Sequence, residues 1–195
     1  PARAEACKLG GNSLGQYPCA VMTVNVRLPR EALDRYSARY AYGTQGLPDP
    51  WLAGDHPDFL TFESFLRIGF WKSPRSERHL RNNSGEDVQE VTRLALAQES
   101  DRMAVHILMA LNGVGMPMAS AILHWTHRKS FPILDFRALW SLGIGMPSGY
   151  TLRFWEDYVG VARELAATWG CDMRTLDRAL LQYSKENQGP TSPTP

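Results

Sequence analysis

Residues 112–135 read NGVGMPMASAILHWTHRKSFPILD, and this stretch decides the fold. Gly113 and Gly115 flank Val114, and Pro117 falls in the first turn of the helix that follows, where a missing N–H costs nothing. The apolar helical stretch MASAILHWTH gives way to a short basic loop at His127, Arg128 and Lys129. An apolar run then ends in a single carboxylate, Asp135. Upstream, Ser100 is placed to cap DRMAVHILMAL, apolar at Met103, Val105, Ile107, Leu108 and Leu111. The pattern predicts two helices joined by a glycine turn, with Val114 plugging the core. A helix N-terminus behind such a turn presents free N–H groups and the positive end of the dipole, which suits a phosphate. That contact carries no base information. A plain helical turn that uses its glycines only for geometry is the competing reading.

Outward from this stretch the chain reads as helical almost throughout. VMTVNVRL, residues 21–28, alternates apolar and polar and predicts a short strand or extended arm. Pro29 starts a helix with positions 33, 36 and 40 on one face. Residues 43–58 are a loop by their Gly and Pro content. Residues 59–70 predict a helix that ends in a basic loop, WKSPRSERHLRNNSGED. Ser84 opens a helix to about residue 98. Asp135 opens FRALWSLG, residues 151–170 form a long helix, and Asp172 caps the last one.

Composition sets bounds. A chain of 195 residues, 44% of them hydrophobic, buries a real core in one domain. Net charge is +1, but the charge is uneven. Between Phe65 and Arg81 lie Arg67, Lys72, Arg75, Arg78 and Arg81 against the lone acid Glu77, a local +4, which leaves about −3 elsewhere. Such a patch points to an anionic partner. Three cysteines without a CxxC, namely Cys7, Cys19 and Cys171, argue for a reducing compartment and against a disulfide framework or a four-cysteine cluster. No apolar run approaches the ~20 residues of a membrane span.

The stretches LNGVGMPMASAIL and FPILD together resemble the helix-hairpin-helix DNA glycosylase superfamily, which includes endonuclease III and the adenine-specific mismatch glycosylases. In that family an L-x-G-V-G hairpin is followed about twenty residues on by an apolar run ending in an essential Asp. Here the interval from Gly115 to Asp135 is twenty residues. The resemblance covers residues 100–142. It implies an all-α fold of two helical lobes flanking a cleft, with the hairpin and Asp135 at its mouth. It implies a hairpin (Gly113, Val114, Gly115, Met116) that grips the phosphate backbone of double-stranded DNA. It also implies a carboxylate that stabilises the oxocarbenium-like sugar as a flipped base leaves. Asp135 reads equally as the N-cap of FRALWSLG, and the two roles are compatible.

The chain departs from the family pattern as well. Where lyase members carry a Lys two residues after the second hairpin glycine, this chain has Pro117, so the expected chemistry is monofunctional, with no Schiff base there. No glutamine-rich loop is present to fill the gap left by a flipped base. The candidate replacement is Trp71, stacking or wedging, with Lys72, Arg75, Arg78 and Arg81 on phosphates; a solvated loop over a buried Trp71 is the alternative. Lys129 is a further phosphate contact, and Glu63 is a candidate second acid. His106, His124 and His127 lack carboxylate or cysteine partners in sequence, so no metal and no cofactor is expected. The expected organisation is a flexible segment 1–20, a helical domain 21–186 and a disordered tail 187–195. The expected protein is a monomer in the cytoplasm, at the nucleoid if bacterial. Its partner is DNA, with no membrane contact, and its role is base excision repair. A non-catalytic DNA-binding module and a helical interaction domain remain as alternatives.

Overall fold

The computed structural model describes residues 22–40 and 56–189. The expected N-terminal segment 1–20, the loop up to residue 55 and the end of the tail lie outside these residues. The protein is all-α: among the described residues there are nine α-helices and no strand. They are α1 (Leu33–Ala38), α2 (Phe62–Lys72), α3 (Glu77–Leu80), α4 (Gly85–Leu96), α5 (Asp101–Leu108), α6 (Met116–Thr126), α7 (Phe136–Ser141), α8 (Leu152–Trp169) and α9 (Met173–Asn187). None of these helices is long and apolar enough to cross a membrane.

Local chemistry sets most of the starts. The side chains of Thr61, Ser84, Ser100, Thr151 and Asp172 each accept the backbone N–H three residues on, and Asp135 accepts that of Arg137. Gly170 ends α8 in the left-handed conformation at φ 65°.

Two expectations change. Pro29 caps a single 3₁₀ turn, Arg30–Ala32, and α1 begins only at Leu33. The basic stretch after residue 70 is not a loop: Trp71 and Lys72 are the last residues of α2, and the 3₁₀ turn Pro74–Ser76 runs into α3. Ser73 leaves the helix in an extended conformation ahead of Pro74, as the residue before a proline does.

The helices pack in two groups. The middle of the chain supplies one: α2 lies on α3, α4 and α6, and α5 bridges α4 and α6. The ends of the chain supply the other: α9 packs on α1, α7 and α8. Residues 22–28 form an extended arm, the second of the two forms expected. Asn25 N–H donates to Leu142 O at 3.1 Å and Arg27 N–H to Ser141 O at 2.8 Å. One continuous core joins the groups, from Leu28 and Leu33 through Phe65, Ile122 and Trp155 to Leu180.

Candidate functional site

The hairpin is built as its sequence dictates, with an anchor the sequence did not announce. Val114 is buried and Gly113 takes φ 79°, open to glycine and costly for other residues. A Cβ on Gly113 would stand 2.8 Å from His79 Cβ and 3.1 Å from Leu80 N, so the turn rests directly on α3. Asn83 locks it there. Its Oδ1 accepts Asn112 N–H at 2.7 Å, and its Nδ2 donates to Asn112 O and Leu80 O. Gly115 differs: φ is −87°, and an added Cβ would meet only Pro117 Cδ at 3.9 Å. Among the described residues the N–H groups of Gly113, Gly115 and Met116 have no protein acceptor. They open the 11-residue helix α6.

Ser120 couples this end of α6 to the carboxylate. Its hydroxyl donates to Pro117 O and accepts Leu134 N–H, both at 2.8 Å. The segment before Asp135 is held on three more sides. Tyr158 Oη donates to Ile133 O at 2.9 Å, Lys72 Nζ to Leu134 O at 3.3 Å, and His124 Nδ1 lies 2.7 Å from Phe131 O. Asp135 therefore projects from a backbone fixed on every side. Its Oδ1 accepts Arg137 N–H at 2.9 Å, and its Oδ2 lies 3.3 Å from Lys72 Nζ. The two side chains are 25% and 13% exposed.

Two hollows meet at this carboxylate. One is an open groove of about 1220 Å³ that carries Pro117, Asp135, Tyr150, Arg75 and Lys72 on its walls. The other is a cavity of about 210 Å³ walled by Tyr40, Trp71, Ile133, Asp177 and Leu181, with Asp135 and Lys72 at the junction. Burial, with the nearby Asp135 charge, pushes the Tyr150 phenol above its ordinary range. Tyr158, fully enclosed, is pushed further up by burial, then by the charges of Asp177 and Asp135.

The sequence candidates fare unevenly. Gly115, Met116, Lys72, Arg75 and Asp135 come together along the groove and the hairpin. Lys72 does not reach into solvent but pairs with Asp135. Trp71 is no projecting wedge: its ring stands edge-on to Trp125 at 5.4 Å and forms a wall of the smaller cavity. Arg78 is exposed on α3, bonded to His79. Lys129 sits elsewhere, with its ammonium on the carbonyl and carboxylate of Glu99. Glu63 lies nine residues before Lys72 on α2, 76% exposed and paired with Arg67, and it lines neither hollow. His124 and His127 bond to backbone carbonyls, Phe131 O and Gln98 O. Among the described residues no three His, Cys, Asp or Glu side chains cluster to hold a metal.

Compared with models of known families, with characterised proteins and with solved structures, the chain shows no significant match to any.

Proposed function

We propose that the protein binds double-stranded DNA through its hairpin and acts as a monofunctional N-glycosylase of the helix-hairpin-helix kind at Asp135. The observation that carries this reading is the link through Ser120. One hydroxyl ties the first turn of α6 to the residue before Asp135, and Pro117 and Asp135 line the same groove. A phosphate on the free N–H groups of Gly115 and Met116 is thereby placed at a set distance from the carboxylate. Preorganised charge aimed at a developing cation is the largest contribution such a site makes. Arg75, exposed on the groove wall, supplies a further phosphate contact.

The test is incubation with duplex oligonucleotides that carry uracil, oxidised guanine opposite adenine, or alkylated purines, followed by alkali. Strand cuts that need alkali, and that vanish in Asp135→Asn, are expected. Asn caps a helix as well as Asp does, so the variant keeps the start of α7. One observation favours the second reading, a DNA-binding module without catalysis. Both oxygens of Asp135 are already engaged, one by a lysine. DNA binding that weakens with salt, with no cut on any substrate, would establish that reading instead.

A further inference from the structure

Cations outnumber carboxylates around the smaller cavity. Lys72, Arg75, Arg137 and Lys185 line it together with Asp135 and Asp177, an excess of two positive charges. Each acid already has a cation of its own: Lys72 Nζ lies 3.3 Å from Asp135 Oδ2, and Arg174 Nη1 lies 3.0 Å from Asp177 Oδ2. Arg75 and Arg137 are left over. Among the described residues neither forms an ion pair, and the Arg137 guanidinium stands 5.0 Å over the ring of its neighbour Phe136. The cations come from separate elements. Arg75 belongs to the 3₁₀ turn ahead of α3, Arg137 to the first turn of α7 and Lys185 to the last turn of α9. Like charges gathered at one hollow repel in the free protein, and an anion seated among them removes that cost.

We infer that this cavity is an anion site that takes a terminal phosphate, a phosphomonoester. Two features of the wall choose the ligand. A guanidinium is a planar fork of N–H donors that matches phosphate oxygens two at a time, and Arg75 and Arg137 supply two such forks. The volume, about 210 Å³, falls below the roughly 300–1,000 Å³ of sites that enclose drug-sized ligands, so one end of a molecule fits and the rest stays outside. A phosphodiester within a strand has chain on both sides and needs two exits. A terminal phosphate has chain on one side, and near neutral pH it carries close to the two negative charges that balance the excess. A free nucleotide and the 5′ end of a DNA strand both carry this group. The site is separate from the hairpin proposed to hold backbone phosphate, and it stands whether or not Asp135 acts on a glycosidic bond.

The experiment is titration of the full chain with a nucleoside 5′-monophosphate and with the 3′,5′-cyclic diester of the same nucleoside, followed by NMR at the tryptophan indole N–H signals, since Trp71 walls the cavity. The monoester is expected to bind at least about tenfold more tightly than the diester, the gain from one charge-assisted contact. Arg137→Gln, which keeps a good helix former in α7, is expected to weaken the monoester about tenfold and to leave the diester as it was. Lys129→Gln, which lines other hollows, is expected to change neither. Should Arg137→Gln lower the melting temperature, Arg75→Gln on its exposed turn repeats the test. Short duplexes with 5′-phosphate or 5′-hydroxyl ends separate the sources. A tighter phosphorylated duplex identifies a DNA end, and equal duplexes beside a tight monophosphate identify a free nucleotide. No binding of monophosphate or preference for the phosphorylated end, equal affinity for monoester and diester, or a monoester affinity unchanged in Arg137→Gln would each overturn the inference. Base release in the alkali assay reads separately, so either reading can fail without the other.

Discussion

Ser120 carries more than its size suggests. Replacing it with alanine leaves Leu134 N–H buried without an acceptor, a loss of about 1–3 kcal/mol. Thermal denaturation of Ser120→Ala should show that loss, and excision should fall further than stability does, because the carboxylate is no longer tied to the hairpin. The two hairpin glycines should part company under substitution. Gly113→Ala forces a side chain into left-handed backbone and onto His79, costing about 1–3 kcal/mol. Gly115→Ser keeps a capping residue at ordinary φ and should leave the melting temperature nearly unchanged. DNA affinity should nonetheless drop, since the new side chain stands at the free N–H groups. A Gly115→Ser variant that binds DNA as the parent does would show that the turn is geometry alone.

At the scale of the element, α6 imposes a pH dependence. His124 is half-buried and held below its ordinary value of 6.5, first by burial. His127, which caps the same helix, is lowered for the same leading reason. A histidine depressed in the folded state takes up its proton more readily when unfolded. Stability is therefore complete above the ordinary histidine value and is lost as pH falls below it. Denaturation midpoints measured from about pH 7.5 down to about pH 5 should fall, and the slope should flatten in His124→Gln. The elements themselves were legible wherever a cap residue and an apolar period coincided, as at Ser84, Ser100 and Asp172. The start of α7 and the spacing from hairpin to Asp135 could be read for the same reason. The stretch after Phe70 could not. Its charges look like a solvated loop, yet Leu80 is wholly buried and Trp71 packs on Trp125, so tertiary burial outweighs local polarity. Asp177 was out of reach as a member of the site, and Lys72, expected on a phosphate, was out of reach as the partner of Asp135. Each joins it from a helix distant in sequence, and an i,i+3 pair such as Arg174 and Asp177 reads as ordinary helix surface.

On the scale of the whole molecule, charge is not spread evenly over one face. Arg75 opens on the groove, whereas Lys129 is neutralised by Glu99 and lines other hollows. The logarithm of DNA affinity against the logarithm of salt should change by about 0.9 in slope for each phosphate that is no longer neutralised. Arg75→Ala should reduce the slope by about that amount. Lys129→Ala should leave it as it was, and equal effects from the two variants would show that the groove does not carry the duplex.

The arm at residues 22–28 bears on when the site comes into being. Gly143 lies against it so closely that a Cβ there would meet Asn25 O at 2.0 Å, and Ser141 Oγ donates to Leu180 O at 2.6 Å on α9. The helix that starts at Asp135 is thus clamped between the earliest described segment and the latest. On the ribosome, α2, α3, α4 and α6 have their helix partners once residue 126 has emerged, and α5 still lacks α8. The helix α7 must wait for α9, another 52 residues after Asp135, or about 3–10 s at roughly 5–20 residues per second. A nascent chain therefore carries a formed hairpin well before it carries a positioned carboxylate, and under the proposed function its grip on an anion would precede any chemistry at Asp135.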